Sequence, residues 1–233
     1  MCEGLNLDMI KKLYHGSNHI IEHPEFGAGK RYNDYGRGFY CTEQLDMAKE
    51  WAVGVGEDGY ANCYELDTEG LQILNLNGQG YTILHWLSVL LQNRQVDVPS
   101  VLAKDAKEYL IRNFNVDYMN YDVIVGYRAD DSYFSFAQDF LNGTISYRQL
   151  NTAMHLGKLG QQFVLKSARS FGRLRFLGSI AVASEEWYPK KMGRDQQARD
   201  DYLNGERFRR KRGDLYITQI LDEEMTSDDP RLQ

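Results

Sequence analysis

The apolar residues of this chain recur with two periods, and the changes between those periods mark its elements. Leu13-Tyr14-His15 reads as a short strand that Gly16-Ser17 ends. Residues 18–37 carry Pro24, Gly27, Gly29 and Gly36 and no apolar period, which predicts a long loop; such loops in a compact domain are usually functional. Residues 38–42 read as a second strand running into a helix on which Leu45, Ala48, Trp51 and Ala52 share a face. Thr42 is placed to cap that helix, and Glu43 suits its positive end. Residues 62–66 and 71–76 are strand candidates around a turn at Thr68-Glu69-Gly70. Residues 81–92 and 100–113 show helical stripes, the first strongly apolar. Residues 121–127 form a continuous apolar strand pattern. Asp131 is placed to cap a helix through Phe140 that stops at Gly143, and Ser146 with Gln149 spells a capping box for a short helix ending near Gly157. Residues 162–165 and 174–183 read as the last strands, followed by a charged, partly helical tail.

The order is strands, helices, then strands again, which predicts an α+β fold and not a regular βαβ alternation. We read residues 1–183 as one domain with a helical insertion at about 81–158, and residues 184–233 as an extension.

Composition narrows the class. The chain has 233 residues, 42% of them apolar, enough for one sizeable core. A formal net charge of -6 argues against the whole molecule being an electrostatic nucleic-acid binder. Cys2, Cys41 and Cys63 form no CxxC pair, which argues against zinc and fits a reducing compartment. Without a leader pattern or a long apolar run, the expectation is a cytoplasmic protein with no membrane partner. His19, His23, His85 and His155 lack ligand spacing, so no metal is expected.

The chemistry-bearing residues gather in 12–52. A substrate joining a ribose to a cationic aromatic base breaks through an oxocarbenium-like sugar. His15 could hydrogen-bond a ribose hydroxyl, the backbone of Gly16 could approach a ligand closely, and Tyr40 could stack on a cationic ring. On residue type alone, the commoner outcome is a satisfied buried histidine and a core tyrosine. Asp130 and Asp131 read as a helix cap with a solvated acid, or else as a general base near the acceptor. Arg207 to Arg212, five basic residues in six, reads as a solvated helix face paired with Glu206, Asp214 and Glu223-Glu224, the alternative being a local phosphate grip. Lys166, Arg169, Arg173 and Arg175 add basic character close behind Gln162.

Leu-Tyr-His-Gly-Ser at 13–17 followed by Gly36-x-Gly38-x-Tyr40 resembles the diphtheria-toxin-like and poly(ADP-ribose)-polymerase-like ADP-ribosyltransferases, with their His-Tyr-Glu signature. Over residues 12–180 the chain resembles the bacterial DUF3990 family still more. The resemblance implies a split β-sheet core of ADP-ribosyltransferase type and NAD+ as substrate, with no metal. It implies transfer of ADP-ribose to a macromolecular acceptor, protein or nucleic acid, in the setting of a toxin with an antitoxin partner or an anti-phage effector. By the same resemblance, His15 and Ser17 belong to the NAD+ site, Gly16 clamps the carboxamide, and Tyr40 and Trp51 sandwich the nicotinamide. Gly38 sits in the turn before Tyr40, Arg37 covers the diphosphate or the acceptor, and Gln162 stands where the family has Glu. Strand alternation lets only one of Gln161 and Gln162 face the cleft. Gln162 cannot be a general base, which points to single transfer, to binding without turnover, or to NAD+ hydrolysis. Ala48 stands where some of these enzymes bind the carboxamide with Ser.

Overall fold

A computed structural model describes residues 9–128 and 131–232, without the side chains of residues 131–133 and 206. Asp130 and the Asp131 side chain therefore lie outside the described residues.

The fold is α+β, with two open sheets. Strands β1 (Ile10–Ser17), β3 (Gly59–Asp67) and β7 (Leu174–Val182) form an antiparallel sheet in the order β1-β3-β7. Strands β2 (Phe39–Cys41), β6 (Gln161–Leu165), β5 (Val123–Tyr127) and β4 (Ile73–Asn75) form the second, in that order, with only β4 and β5 parallel. Among the described residues the two sheets are joined by one antiparallel bridge, Tyr14 with Thr42, through Tyr14 N–H to Thr42 O (2.8 Å) and Thr42 N–H to Tyr14 O (2.9 Å).

The period of two distributes the side chains. Leu13, Tyr64 and Leu66 of the first sheet face Phe39, Cys41, Val123, Val125, Phe163 and Leu165 of the second, forming the layer between the sheets. Ile124 and Val164 point the opposite way, into the largest core. That core is built by α2 (Ile83–Asn93), α3 (Val101–Asn113), α4 (Asp131–Leu141) and α5 (Tyr147–Ala153). The outer face of the first sheet carries α1 (Leu45–Ala52) through Ala48, Ala52 and Ala61. A short α6 (Ala168–Gly172) links β6 to β7.

Several boundaries differ from the sequence reading. Gly16 and Ser17 do not end β1, because pairing with Ala61 and Tyr60 carries the strand through them. The N-cap of α1 is Gln44, not Thr42, whose Oγ instead accepts the Gln44 N–H at 3.1 Å. The stretch read as a helical insertion contains β5, which lies between β6 and β4. Helix α5 starts at its Ser146–Gln149 capping box but stops at Ala153.

The tail is continuous with this body. Helix α7 (Ser184–Asn204) packs Trp187 against Ala48 and Ala52, and Tyr202 enters the main core beside Ile217 and Ile220 of α8 (Ile217–Asp222). Residues 209–212 are not helical, Asp214 pairs with Arg148 at 2.8 Å, and Glu223 pairs with Arg231 at 2.7 Å. The basic run thus forms no paired helix face with Asp214 or Glu223; Arg207 pairs with Asp139 at 3.2 Å, and the Glu206 side chain lies outside the described residues.

Candidate functional site

A cavity of 1340 Å³ opens where β1 and β2 part. Beyond Tyr14–Thr42 the ladder stops, and the ring of His15 bridges the gap: its Nδ1 lies 2.6 Å from Tyr40 O. A carbonyl only accepts, so Nδ1 carries the proton and Nε2 keeps a lone pair. The ring also stacks on Phe39, centroids 4.4 Å apart. Burial lowers the His15 pKa, against the raising effect of the Tyr40 carbonyl, which favours neutral imidazole.

Gly16 shows two faces. A Cβ there would stand 2.0 Å from Ala48 O and 2.7 Å from Ala52 N, so the missing side chain is first of all the seat of α1. Its backbone is a separate matter. Because Tyr14 spends its N–H and C=O on Thr42, β-alternation turns those of Gly16 the same way, along the edge where the ladder has ended and the cavity begins.

Tyr40 and Gln162 project from one face of the second sheet, since Tyr40 pairs with Val164 and Gln162 lies two residues on. The Tyr40 hydroxyl donates to Gly36 O (2.6 Å) and accepts Tyr35 N–H (3.0 Å). Gln162 is 4% exposed and lines the cavity, whereas Gln161 is exposed; alternation thus assigns Gln162 to the cavity. Trp51 lines the cavity from α1, with the Arg128 guanidinium over its ring at 4.1 Å and its buried Nε1 unpartnered. Gly38 also borders the space, tight against Val164 and Leu165.

Arg37 is exposed and does not line the cavity, and its carbonyl accepts Lys166 Nζ at 2.6 Å. The cations at the wall are Lys30, Arg94, Arg128, Lys191, Arg194 and Arg199, the last three from α7. The basic residues behind Gln162 also serve elsewhere. Arg169 pairs with Asp122, Arg173 with Asp67 and Arg175 with Glu65. Lys166 braces the carbonyls of Tyr35 and Arg37, its pKa pulled down to about 8 by burial.

Two polar residues that the sequence did not single out organise the site. Asn62, fully buried, accepts Ile21 N–H through Oδ1 (3.1 Å) and donates through Nδ2 to His19 O (3.2 Å) and Ser17 Oγ (3.3 Å). Ser17 Oγ in turn donates to His19 O. The loop after β1 is thereby tied to β3. Asp34, 5% exposed, accepts Arg94 Nε (3.0 Å) and Gln162 Nε2 (3.2 Å). Its neighbour Tyr35 is buried and reaches across Gly126 to donate to Tyr127 O at 2.6 Å. A Cβ at Gly126 would lie 2.2 Å from the Tyr35 hydroxyl. The loop is anchored at this end because β5 leaves room for that ring.

Acid should weaken the fold through two histidines. His85, 5% exposed, accepts Thr82 N–H at Nδ1 (2.9 Å) in the capping box of α2, and burial lowers its pKa as it does that of His15. The unfolded chain takes up protons near the ordinary value of 6.5 while the folded one resists. Stability is therefore retained above about pH 6.5 and lost as pH falls below it. Denaturant midpoints should drop between pH 7 and pH 5, and His85→Gln, which keeps a capping acceptor, should flatten part of that drop. Midpoints that do not change over this range would show that neither imidazole resists protonation.

Among the described residues no group of three or more His, Cys, Asp or Glu converges as metal ligands would, and no helix is long and apolar enough to cross a membrane. No curated protein and no solved structure matches the chain. The profile of a family described as a protein of unknown function (DUF3990) matches residues 11–176, a span holding His15, Gly16, Tyr40, Trp51 and Gln162. The chain belongs to the DUF3990 family.

Proposed function

We propose that the cavity binds NAD+ and that the protein is a mono-ADP-ribosyltransferase acting on a macromolecular acceptor. The observation that carries this reading is the parting of β1 from β2. It sets an imidazole with a free acceptor nitrogen, an unpaired backbone edge and two aromatic side chains around one space. His15 Nε2 suits a ribose hydroxyl. The Gly16 N–H and C=O match the acceptor and donor of a carboxamide. Tyr40 and Trp51 suit a pyridinium, and the guanidinium over Trp51 marks that indole as a seat for a flat cation. Cations along α7 and at Lys30 suit a diphosphate. The fold is compatible with the split-sheet core of ADP-ribosyltransferases.

In the reaction, the bond between ribose C1′ and nicotinamide breaks and its electron pair leaves with neutral nicotinamide. Positive charge develops at C1′, a lone pair of the acceptor bonds there, and the acceptor's proton passes to solvent. Gln162 takes up no proton; its amide oxygen orients the 2′-hydroxyl as charge develops.

A second reading follows from the same amide: a module that binds NAD+ or ADP-ribose without turnover. Incubation with adenylate-labelled NAD+ and cell lysate separates the outcomes. Label on protein or nucleic acid together with released nicotinamide supports transfer. Nicotinamide without label means water is the acceptor, and binding without release means the module. Under transfer, His15→Ala should lower nicotinamide release by on the order of 100-fold or more, beyond what the lowered denaturation midpoint from the lost Tyr40 bond and Phe39 contact explains. Unchanged release would remove His15 from the site.

A further inference from the structure

From the placement of Asp34 against Gln162 we infer that Asp34 is a positioning residue which makes the Gln162 amide act as the carboxylate this site lacks. The inference rests on the NAD+ reading above. Asp34 Oδ1 accepts Arg94 Nε at 3.0 Å and Oδ2 accepts Gln162 Nε2 at 3.2 Å. An ionised carboxylate only accepts, so the amide nitrogen must face Asp34 and Gln162 Oε1 is the end left for a ligand. That end is an acceptor, as a glutamate oxygen would be. The N–H bond to a buried anion also draws electron density toward Oε1, which strengthens it as an acceptor.

Both partners are held. Asp34 precedes the anchored Tyr35, Arg94 sits at the C-cap of α2, and Gln162 pairs with Gly126 inside the second sheet. Asp34 also brings a negative charge to the nitrogen end of this amide. Its role is therefore to fix which end of Gln162 meets the ribose.

The arrangement predicts a switch. In Asp34→Asn the guanidinium of Arg94, a donor only, keeps the Asn oxygen on its side and turns the Asn nitrogen toward Gln162. Gln162 must then flip, presenting –NH2 to the cavity. In Asp34→Asn/Gln162→Glu the Asn nitrogen donates to the new carboxylate, and an acceptor faces the cavity again.

The readout is binding of NAD+ against its analogue lacking the 2′-hydroxyl on the nicotinamide ribose, with the Gln162 side-chain amide followed by NMR in the free protein. Wild type should prefer NAD+ by about fivefold to tenfold, the worth of one hydrogen bond. The preference should fall to about one in Asp34→Asn and return in the double variant. The Gln162 amide protons should be shifted and slow to exchange in wild type, and lose both properties in Asp34→Asn. NAD+ binding with no preference in wild type, or with the same preference in Asp34→Asn, overturns the role of Asp34 and leaves the NAD+ reading standing. No NAD+ binding at all overturns both, even where the amide signal stays perturbed.

Discussion

Gly16→Ala should cost on the order of 3 kcal/mol of stability and displace a wall of the cavity with it. The new Cβ would stand 2.0 Å from Ala48 O, 2.7 Å from Ala52 N and 2.8 Å from Trp51 Cβ. Two of these are backbone atoms of α1, so no rotamer change relieves the clash, and the helix must lift by roughly 1 Å to reach ordinary contact. Trp51 would move with it. A control lies on the neighbouring strand: a Cβ at Gly59 would meet Ala52 O at the same 2.0 Å, yet Gly59 is not part of the cavity wall. Both variants should lower the urea midpoint by comparable amounts at unchanged slope. Gly16→Ala should in addition lose NAD+ binding beyond what its stability explains. A Gly16→Ala protein with a wild-type midpoint would show that α1 does not rest on β1 as described.

That pair of glycines also marks how far the sequence could be read. Some local signals hold and others, such as the cap read at Thr42 and the break at Gly16-Ser17, give way to pairing and packing. The capping box at Ser146/Gln149 acts within three residues, and the apolar stripe of α2 needs only its own helix. Gly16 was legible as a place of close approach, but what approaches could not be read, because α1 reaches it only through tertiary packing. Arg37 enters the sequence reading through the resemblance alone, and the pairing of Arg94 with Asp34, 60 residues apart, has no counterpart in any linear motif.

Asp34 was hidden for the same reason. In an irregular Asn33-Asp34-Tyr35 stretch an aspartate reads as a turn residue, and its partner Gln162 is 128 residues distant. Asn62 looked like an ordinary strand position, yet it is fully buried and ties down the loop after β1. Side-chain bonds across such separations leave no periodic trace in one sequence. Buried polar groups reveal themselves only when the fold shows which partners satisfy them. The strand ends were legible because they carry a linear motif, and the polar residues that orient them were not.

The sharpest test of that hidden layer is Gln162→Glu. Resemblance to the His-Tyr-Glu enzymes makes this a restoring substitution, whereas the neighbourhood of Asp34 makes it a damaging one at neutral pH. The substitution replaces a donor 3.2 Å from Asp34 Oδ2 with a second carboxylate, in a place where Asp34 is 5% and Gln162 4% exposed. Arg94 is adjacent but already engages Oδ1. Two carboxylates so placed share one proton, and the pair keeps it to a pH well above the ordinary carboxylate range. The folded variant thus binds more protons than the unfolded chain between about pH 4 and that raised value. By linkage the contribution of this pair to stability is greatest in acid and falls as pH rises through that window, on top of the acid sensitivity the two histidines give every variant. Gln162→Glu should be near wild type at pH 5 and weaker by roughly 2–3 kcal/mol at pH 8, an estimate reduced for the nearby guanidinium. Any nicotinamide release should likewise fade from the acid side toward pH 8. Adding Asp34→Asn should return the pH dependence to that of wild type, since one charge and one donor are then restored to the pair. Denaturant midpoints of the three proteins at pH 5 and pH 8 decide the matter. If Gln162→Glu alone is as stable and as active at pH 8 as the double variant, then Asp34 does not govern this amide, and the glutamate of the resemblance would be the better guide to the site.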